Sequence, residues 1–273
     1  MRESTVRCGD EGFAHKVRYS NRGAEVIESA ISDANIDLTA FANFPEDSGC
    51  EMENLPKLQV YSFSPRQRGE DWSLSVDLQE LNMIRQPLLA HGLIGKFTEG
   101  QWAGYDYGNF SLLDDGKIIV SCSQTSSLPA VSKDDLAVVA GYDAESFTVE
   151  YFGKKVPSSE SSLHFSAYQA RPDLGAVVHG HMMDFDPAHK TIAEYFLAND
   201  LPLTTSLGKS REIGQELKNL INQRQQTGII GMLNHDGGFG LLSLGSSFSE
   251  ASQQLVDFQG RLNSWLEGLK SRN

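Results

Sequence analysis

Two imidazoles stand at alternate positions where an apolar run ends, in Val177-Val-His-Gly-His-Met182, and this constrains the fold more than any other feature of the chain. A short run rich in valine reads as a strand, and the period of two places His179 and His181 on the same face. Neutral imidazole is the commonest side-chain metal ligand, so two on one face suit a single ion, and three with an open position describe a catalytic zinc centre. His235 is the candidate third ligand. It follows a second apolar run, Ile229-Ile-Gly-Met-Leu233, and precedes glycines that let the backbone turn closely around an ion. Taken from the residues alone, the alternative is that His179 and His181 are satisfied sheet histidines.

The rest of the pattern supplies a frame. Residues 105–113 and 117–121 read as strands across the turn Asp114-Asp-Gly116, and further strands are expected at 136–140, 147–152, 175–181, 228–233 and 239–244. Leu78, Leu81, Ile84 and Leu88 recur at helical spacing, with Pro87 bending or ending that helix early. Ser158 and Ser159 are expected N-caps for a helix running to about residue 170, with Glu160 in its first turn. Ile213, Leu217, Leu220 and Ile221 give one apolar helical face, and Ala251, Leu255, Phe258, Leu262, Trp265 and Leu269 give another. Helices packed on a mixed, largely antiparallel sheet are expected. Before this, a strand at 16–20, a helix near 24–35, a loop at 44–50 and a strand at 58–63 are expected. A boundary at the polar stretch 65–75 divides the chain into an N-terminal extension of residues 1–75 and a domain of residues 76–273.

The formal net charge of −13 repels a phosphate backbone, which argues against nucleic acid as a partner. Cys8, Cys50 and Cys122 are odd in number and widely spaced, so neither a disulfide framework nor a thiolate zinc knot is expected, and the cytoplasm is the natural compartment. No run of about 18 apolar residues suggests a membrane span.

Spacing alone gives Glu160 the ordinary role of complementing a helix dipole, and it gives His164, one turn on, an intrahelical contact. The wider set of motifs says more. Gly108-Asn-Phe-Ser111, Ile118-Ile-Val-Ser121, Pro157-Ser-Ser-Glu160 with His164, Val177-Val-His-Gly-His181, Leu233-Asn-His235 and Ser249-Glu-Ala251 occur in order, and over about residues 78–269 the chain resembles the class II aldolase/adducin family, the fuculose-phosphate aldolase-like enzymes in particular. The resemblance implies an α/β fold in three layers, α/β/α, around a mixed and largely antiparallel sheet, and a homo-oligomer, commonly a tetramer. It implies Zn2+, or another divalent metal, on His179, His181 and His235, with Glu160 as the catalytic proton-transfer group. Gly108, Asn109, Ser121, Ser123, Ser158 and Ser159 would hold the substrate or its phosphate.

The activity so implied is that of a zinc-dependent aldehyde-lyase acting on a small sugar or sugar phosphate through an enediolate stabilised by the ion. Epimerases and dehydratases share the same residues, and a non-catalytic adducin-like binding protein is the alternative from another class. Where family members often carry Thr-Pro-Ser/Thr-Gly, this chain has Ser121-Cys-Ser-Gln124, with glutamine in place of a glycine that permits close approach to an anion.

Overall fold

A computed structural model describes residues 63–99, 102–182, 188–206, 211–224, 228–233, 235 and 238–270, together with the backbone of three short strands before them. The chain forms two compact units, Met1–Val60 and Tyr61–Asn273. In the first, β1 (Ser4–Arg7), β2 (Ala14–Ser20) and β3 (Gly23–Val26) form an antiparallel sheet. β2 contains the strand expected at 16–20. The helix expected from residue 24 is corrected at its start: residues 24–26 pair with β2 from Ser20↔Gly23 to Val17↔Val26, so strand pairing overrides the helix propensity of Ala24 and Glu25. The rest of that helix, the loop at 44–50 and residues 58–62 lie outside the described residues.

The second unit contains, in order, β4 (Ser64–Gly69), α1 (Leu78–Ala90), β5 (Gly95–Lys96), β6 (Asp106–Tyr107), β7 (Asn109–Asp114), β8 (Lys117–Ser121), β9 (Leu136–Asp143), β10 (Thr148–Phe152), α2 (Ser161–Ala170), β11 (Ala176–Met182), α3 (Ala188–Ala198), β12 (Leu203–Thr204), α4 (Arg211–Arg224), β13 (Gly228–Met232), β14 (Phe239–Gly245) and α5 (Phe248–Lys270). Nine strands form one sheet in the order β12-β13-β14-β11-β7-β8-β9-β10-β4, with parallel pairing only at the two edge pairs, β12 with β13 and β10 with β4. The mixed, largely antiparallel sheet is therefore as expected.

Because β4 lies in this sheet, the structural division falls before the polar stretch at 65–75. Charged and polar residues at an exposed edge strand look like a linker in the sequence, although main-chain pairing with β10 holds them. At the β7–β8 turn, Asp115 and Gly116 both adopt positive φ, 49° and 72°, as a two-residue hairpin turn requires.

Helices cover both faces. On one, Leu163, Ala167 and Tyr168 of α2 pack with Ile213, Leu217 and Ile221 of α4 over Val177, Ile230, Met232, Leu242 and Leu244 of the sheet. On the other, α5 lies on β11 and β14 and packs against α1. α3, which the sequence reading did not include, joins that face through Phe196 against Phe239 and Phe258, with ring centroids 5.5 and 5.2 Å apart. β11 and β14 are buried along their whole length, as strands covered on both sides must be. None of the described helices is long and apolar enough to cross a membrane.

Pro87 does not end α1. It stands in the last turn, where only one intrahelical bond is lost, and the helix continues to Ala90. On the same helix Arg85 is fully buried, and its Nη2 donates to the carbonyls of Ser126 at 2.8 Å and Leu128 at 2.9 Å, with Thr125 at 3.4 Å. Burial lowers its guanidinium to about 10 against the pull of Asp135 and Asp106, so it stays charged at neutral pH. A lysine side chain is shorter and leaves its ammonium short of the place Nη2 occupies, and Arg85→Lys is expected to lower stability by about 2 kcal/mol, measured as a shift in urea midpoint at unchanged slope.

Candidate functional site

Alternation along β11 turns Val177, His179 and His181 to the face covered by α2 and α4. His179 pairs with Asn109 of β7 on one side and with Leu242 of β14 on the other, and His181 pairs with Gly240. β7 starts at Asn109. Beyond it, Gly108 turns at φ 72°, where a Cβ would stand 2.6 Å from Ile94 Cγ2 and 3.0 Å from the His179 carbonyl. The connection leaving α1 then takes over the pairing, and the His181 N–H donates to the Leu93 carbonyl at 2.8 Å.

His235, just past β13, completes a triangle of imidazoles with ring centroids 4.6–4.8 Å apart. One ring nitrogen from each of His179, His181 and His235 lies within 4.8 Å of the others, and all three residues are buried. The Leu241 carbonyl lies 3.0 Å from His179 Nδ1 and can only accept, so Nδ1 carries the proton and Nε2 presents its lone pair to the site. Burial holds the His179 imidazole well below its ordinary value, which keeps it in the neutral form that ligates a cation. A buried triad of imidazoles, with His179 in this tautomer, fits a divalent transition ion, and borderline nitrogen donors suit zinc.

Glu160 comes to the same point. It occupies the N-cap position of α2, just after Ser158 and Ser159, the N-caps expected there, and its side chain caps no N–H of the helix. Ser158 Oγ instead accepts from the Glu160 N–H, and the Ser158 carbonyl accepts from Ser161, which frees the Glu160 carboxylate to turn inward. There Oε1 lies 2.6 Å from His235 Nε2 and Oε2 lies 3.2 Å from His179 Nε2, while Asn109 Nδ2 donates to Oε2 at 2.7 Å. With only 4% of Glu160 exposed, these contacts are made out of water.

The expected substrate-binding residues surround this point in different ways. Asn109 is directly on Glu160. Ser121 Oγ accepts from the Phe110 N–H, the Ser121 carbonyl accepts from the Ser158 N–H, and Ser123 Oγ donates to the Pro157 carbonyl, so these residues tie the β8 loop to the segment before Glu160. Ser159 is half-buried next to them.

Three features were not read from the sequence. Gly240 makes room for His235, since a Cβ there would meet His235 Cγ at 2.8 Å; a glycine inside a strand was the available signal. The Tyr107 ring stands 5.3 Å from that of His181, with Phe97 at 6.1 Å, forming an aromatic side wall. His164 bonds across to the sheet, where Ser111 Oγ lies 2.7 Å from its Nδ1 and 3.1 Å from the Tyr168 hydroxyl.

Burial lowers the His164 imidazole from 6.5 to about 4, with Glu160 opposing. The unfolded chain therefore takes up this proton near 6.5 and the folded chain only near 4, so the contribution of His164 is complete above 6.5 and is lost as pH falls toward 4. His164→Gln should remove about 2 kcal/mol of the stability difference between pH 7 and pH 5, read from urea midpoints at the two values.

Known proteins resemble this chain at the level of the family. The family model described as "Class II Aldolase and Adducin N-terminal domain" matches residues 93–263. A methylthioribulose-1-phosphate dehydratase of Xylella fastidiosa (strain 9a5c) is 24% identical over 221 residues, covering 73% of this chain and 95% of the dehydratase. An L-ribulose-5-phosphate 4-epimerase of Salmonella typhi is 30% identical over 123 residues, covering 41% of this chain and 51% of the epimerase. The solved structure of an aldolase II superfamily protein from Pseudomonas syringae is 17% identical, with a TM-score of 0.47, covering 72% of this chain and 79% of that one.

Proposed function

Because the chain belongs to the class II aldolase and adducin family, we propose that it is a divalent-metal-dependent lyase of small ketose phosphates. His179, His181 and His235 would hold the ion, zinc by the character of the donors, and Glu160 would move the proton. The reading rests on one observation above all: the buried Glu160 carboxylate is held within 2.6 Å of one imidazole of the triad and 3.2 Å of another. An ion at this triad supplies Lewis-acid polarisation of a substrate carbonyl and its neighbouring hydroxyl.

The residues of the chain then have separate tasks. Glu160 takes a proton at the carbon beside the carbonyl, and Asn109 keeps the carboxylate aimed by donating to Oε2. As the C–H electron pair forms a double bond, the hydroxyl on the next carbon departs as water with a proton returned from Glu160. Tyr107 and Phe97 close the His181 side of the site against solvent.

Elimination of water is preferred to carbon–carbon cleavage because the dehydratase named above aligns over 95% of its length. Cleavage would use the same group differently, with Glu160 taking a hydroxyl proton while the adjacent carbon–carbon bond breaks. The complete set of three histidines and the acid speaks against a purely non-catalytic binding protein.

The test has two parts. Metal content is measured on the purified protein, after chelation and after zinc reloading, in the wild type, His179→Ala and His235→Ala. The reloaded wild type is then incubated with short ketose phosphates and their unphosphorylated forms, and the products are identified by NMR. The expected result is near-stoichiometric metal that both variants lose, with a metal-dependent product that retains the full carbon chain. Two smaller products would replace dehydration by aldol cleavage. A folded wild type that takes up no metal would overturn the reading.

A further inference from the structure

Two polar rungs join the start of α2 to β7. Asn109 and Ser111 lie two residues apart on one face of the strand, and Glu160 and His164 lie one helical turn apart. In the first rung Asn109 Nδ2 donates to Glu160 Oε2 at 2.7 Å. In the second, Ser111 Oγ lies 2.7 Å from His164 Nδ1 and 3.1 Å from the Tyr168 hydroxyl. On β11 the residues opposite are His179 for the first rung and Val177 for the second. The rungs stand roughly 6 Å apart, the rise of four helical or two strand residues. Proton transfer by Glu160 uses only the first of them.

The second rung has one direction. Burial keeps the Tyr168 phenol protonated, and its oxygen accepts from the Val177 backbone N–H, so the phenol proton is left for Ser111 Oγ. The Ser111 hydroxyl proton then goes to His164 Nδ1. Burial also keeps His164 neutral at pH 7, which places its single ring proton on Nε2. His164 is fully buried, and this N–H has no acceptor among the described residues.

The first rung holds a matching acceptor. Asn109 Oδ1 is buried and has no donor among the described residues, because Nδ2 is the end of the amide that meets Glu160. Nε2 stands on the side of the His164 ring away from Ser111. His164 acts electrostatically on both Glu160 and His179, as a ring lying between the rungs must. A buried donor and a buried acceptor across such a gap are matched by one water molecule, for which two polar partners suffice.

We propose that His164 is a positioning residue: its Nε2–H, through one buried water, bonds Asn109 Oδ1 and so keeps Asn109 Nδ2 on Glu160. This rests on the proton-transfer role of Glu160 in the proposed function. As a carboxylate, Glu160 orients the Asn109 amide by itself, since only the Nδ2 end can donate to it. Once it has taken a proton that pull weakens, and an amide held at Nδ2 alone is free to turn over. The bond at Oδ1 holds the amide in both states, so the acid returns its proton from the place where it received it.

The test begins with NMR of the full-length protein labelled with 15N-histidine, the His164 signals being those that His164→Gln removes. The expected spectrum shows a proton on Nε2, none on Nδ1, and a cross-peak from the Nε2 proton to water. Kinetics of the zinc-loaded enzyme, on the ketose phosphate that the wild type turns over, then compare two variants that each keep one ring nitrogen. His164→Asn sets its amide where Nδ1 was and loses the Nε2 donor, whereas His164→Gln sets its amide where Nε2 was. His164→Asn is expected to lower kcat about ten- to a hundredfold at nearly unchanged KM, and His164→Gln to stay within about threefold of the wild type. A merely structural histidine gives the reverse order, because His164→Asn keeps the bond to Ser111 and His164→Gln breaks it. That order, equal losses in the two variants, a proton on Nδ1, or an Nε2 proton without contact to water overturns the assignment. A wild type without turnover refutes the parent reading instead, and the tautomer and the water contact then decide the role of His164 by themselves.

Discussion

Glu160→Gln is expected to lower kcat by a factor of about 10²–10⁴ while the protein still binds its metal. The substitution keeps the shape of the side chain and removes only its capacity to accept a proton. Asn109 Nδ2 donates at 2.7 Å, so the remaining carbonyl oxygen of glutamine stays on that donor, and the new amide turns toward the His235 nitrogen that Oε1 now meets at 2.6 Å. Both hydrogen bonds can be kept with a lone pair on His235 Nε2, so the fold should tolerate the change. Metal analysis and single-turnover rates on the same sample separate the two possible roles. Retained metal with slow turnover identifies proton transfer, loss of metal makes Glu160 a ligand, and a rate within threefold of the wild type removes it from the chemistry.

How much of this site was legible in the sequence depended on the range of each signal. His179 and His181 were readable because strand alternation acts over two residues, and β11 is one uninterrupted strand from Ala176 to Met182. His235 was readable only as a candidate, since its place beside them is set by β13 and β14 crossing the sheet. The start of α2 was placed one or two residues early, and that decides the local reading of Glu160: in the first turn it would complement the dipole, whereas at the cap it points into the site. The strand β4 was hidden because parallel pairing at an exposed edge leaves no apolar alternation. Pro87 was over-weighted because a proline in the last turn removes little of a helix that packs on α5. Of the pieces that were missed, Gly240 left one local sign, a glycine inside a strand, whereas the Leu241 carbonyl acts through space on a histidine elsewhere in the chain and no local pattern encodes that.

Gly240→Ala therefore tests the geometry more sharply than removal of a ligand does. It should lower metal affinity by about 10–100-fold although it deletes no donor atom. The added Cβ would lie 2.8 Å from His235 Cγ, 3.0 Å from Cδ2 and 3.0 Å from Met232 Cβ, closer than packed atoms sit. Met232 is itself buried in the core under α4, so the methyl group cannot be accommodated from that side. The imidazole has to move, and with it the nitrogen that lies 2.6 Å from Glu160. His179 and His181 keep their places, because the Leu241 carbonyl and the Leu93 carbonyl hold them independently of residue 240's side chain. The variant should thus retain a weakened site with two intact ligands and regain activity at high zinc, whereas His235→Ala should not. Metal titration with a competing chelator measures the affinity. Wild-type affinity in Gly240→Ala would show that His235 is not held against β14 as described, and loss of the folded state would be visible in the far-UV spectrum before any metal is added.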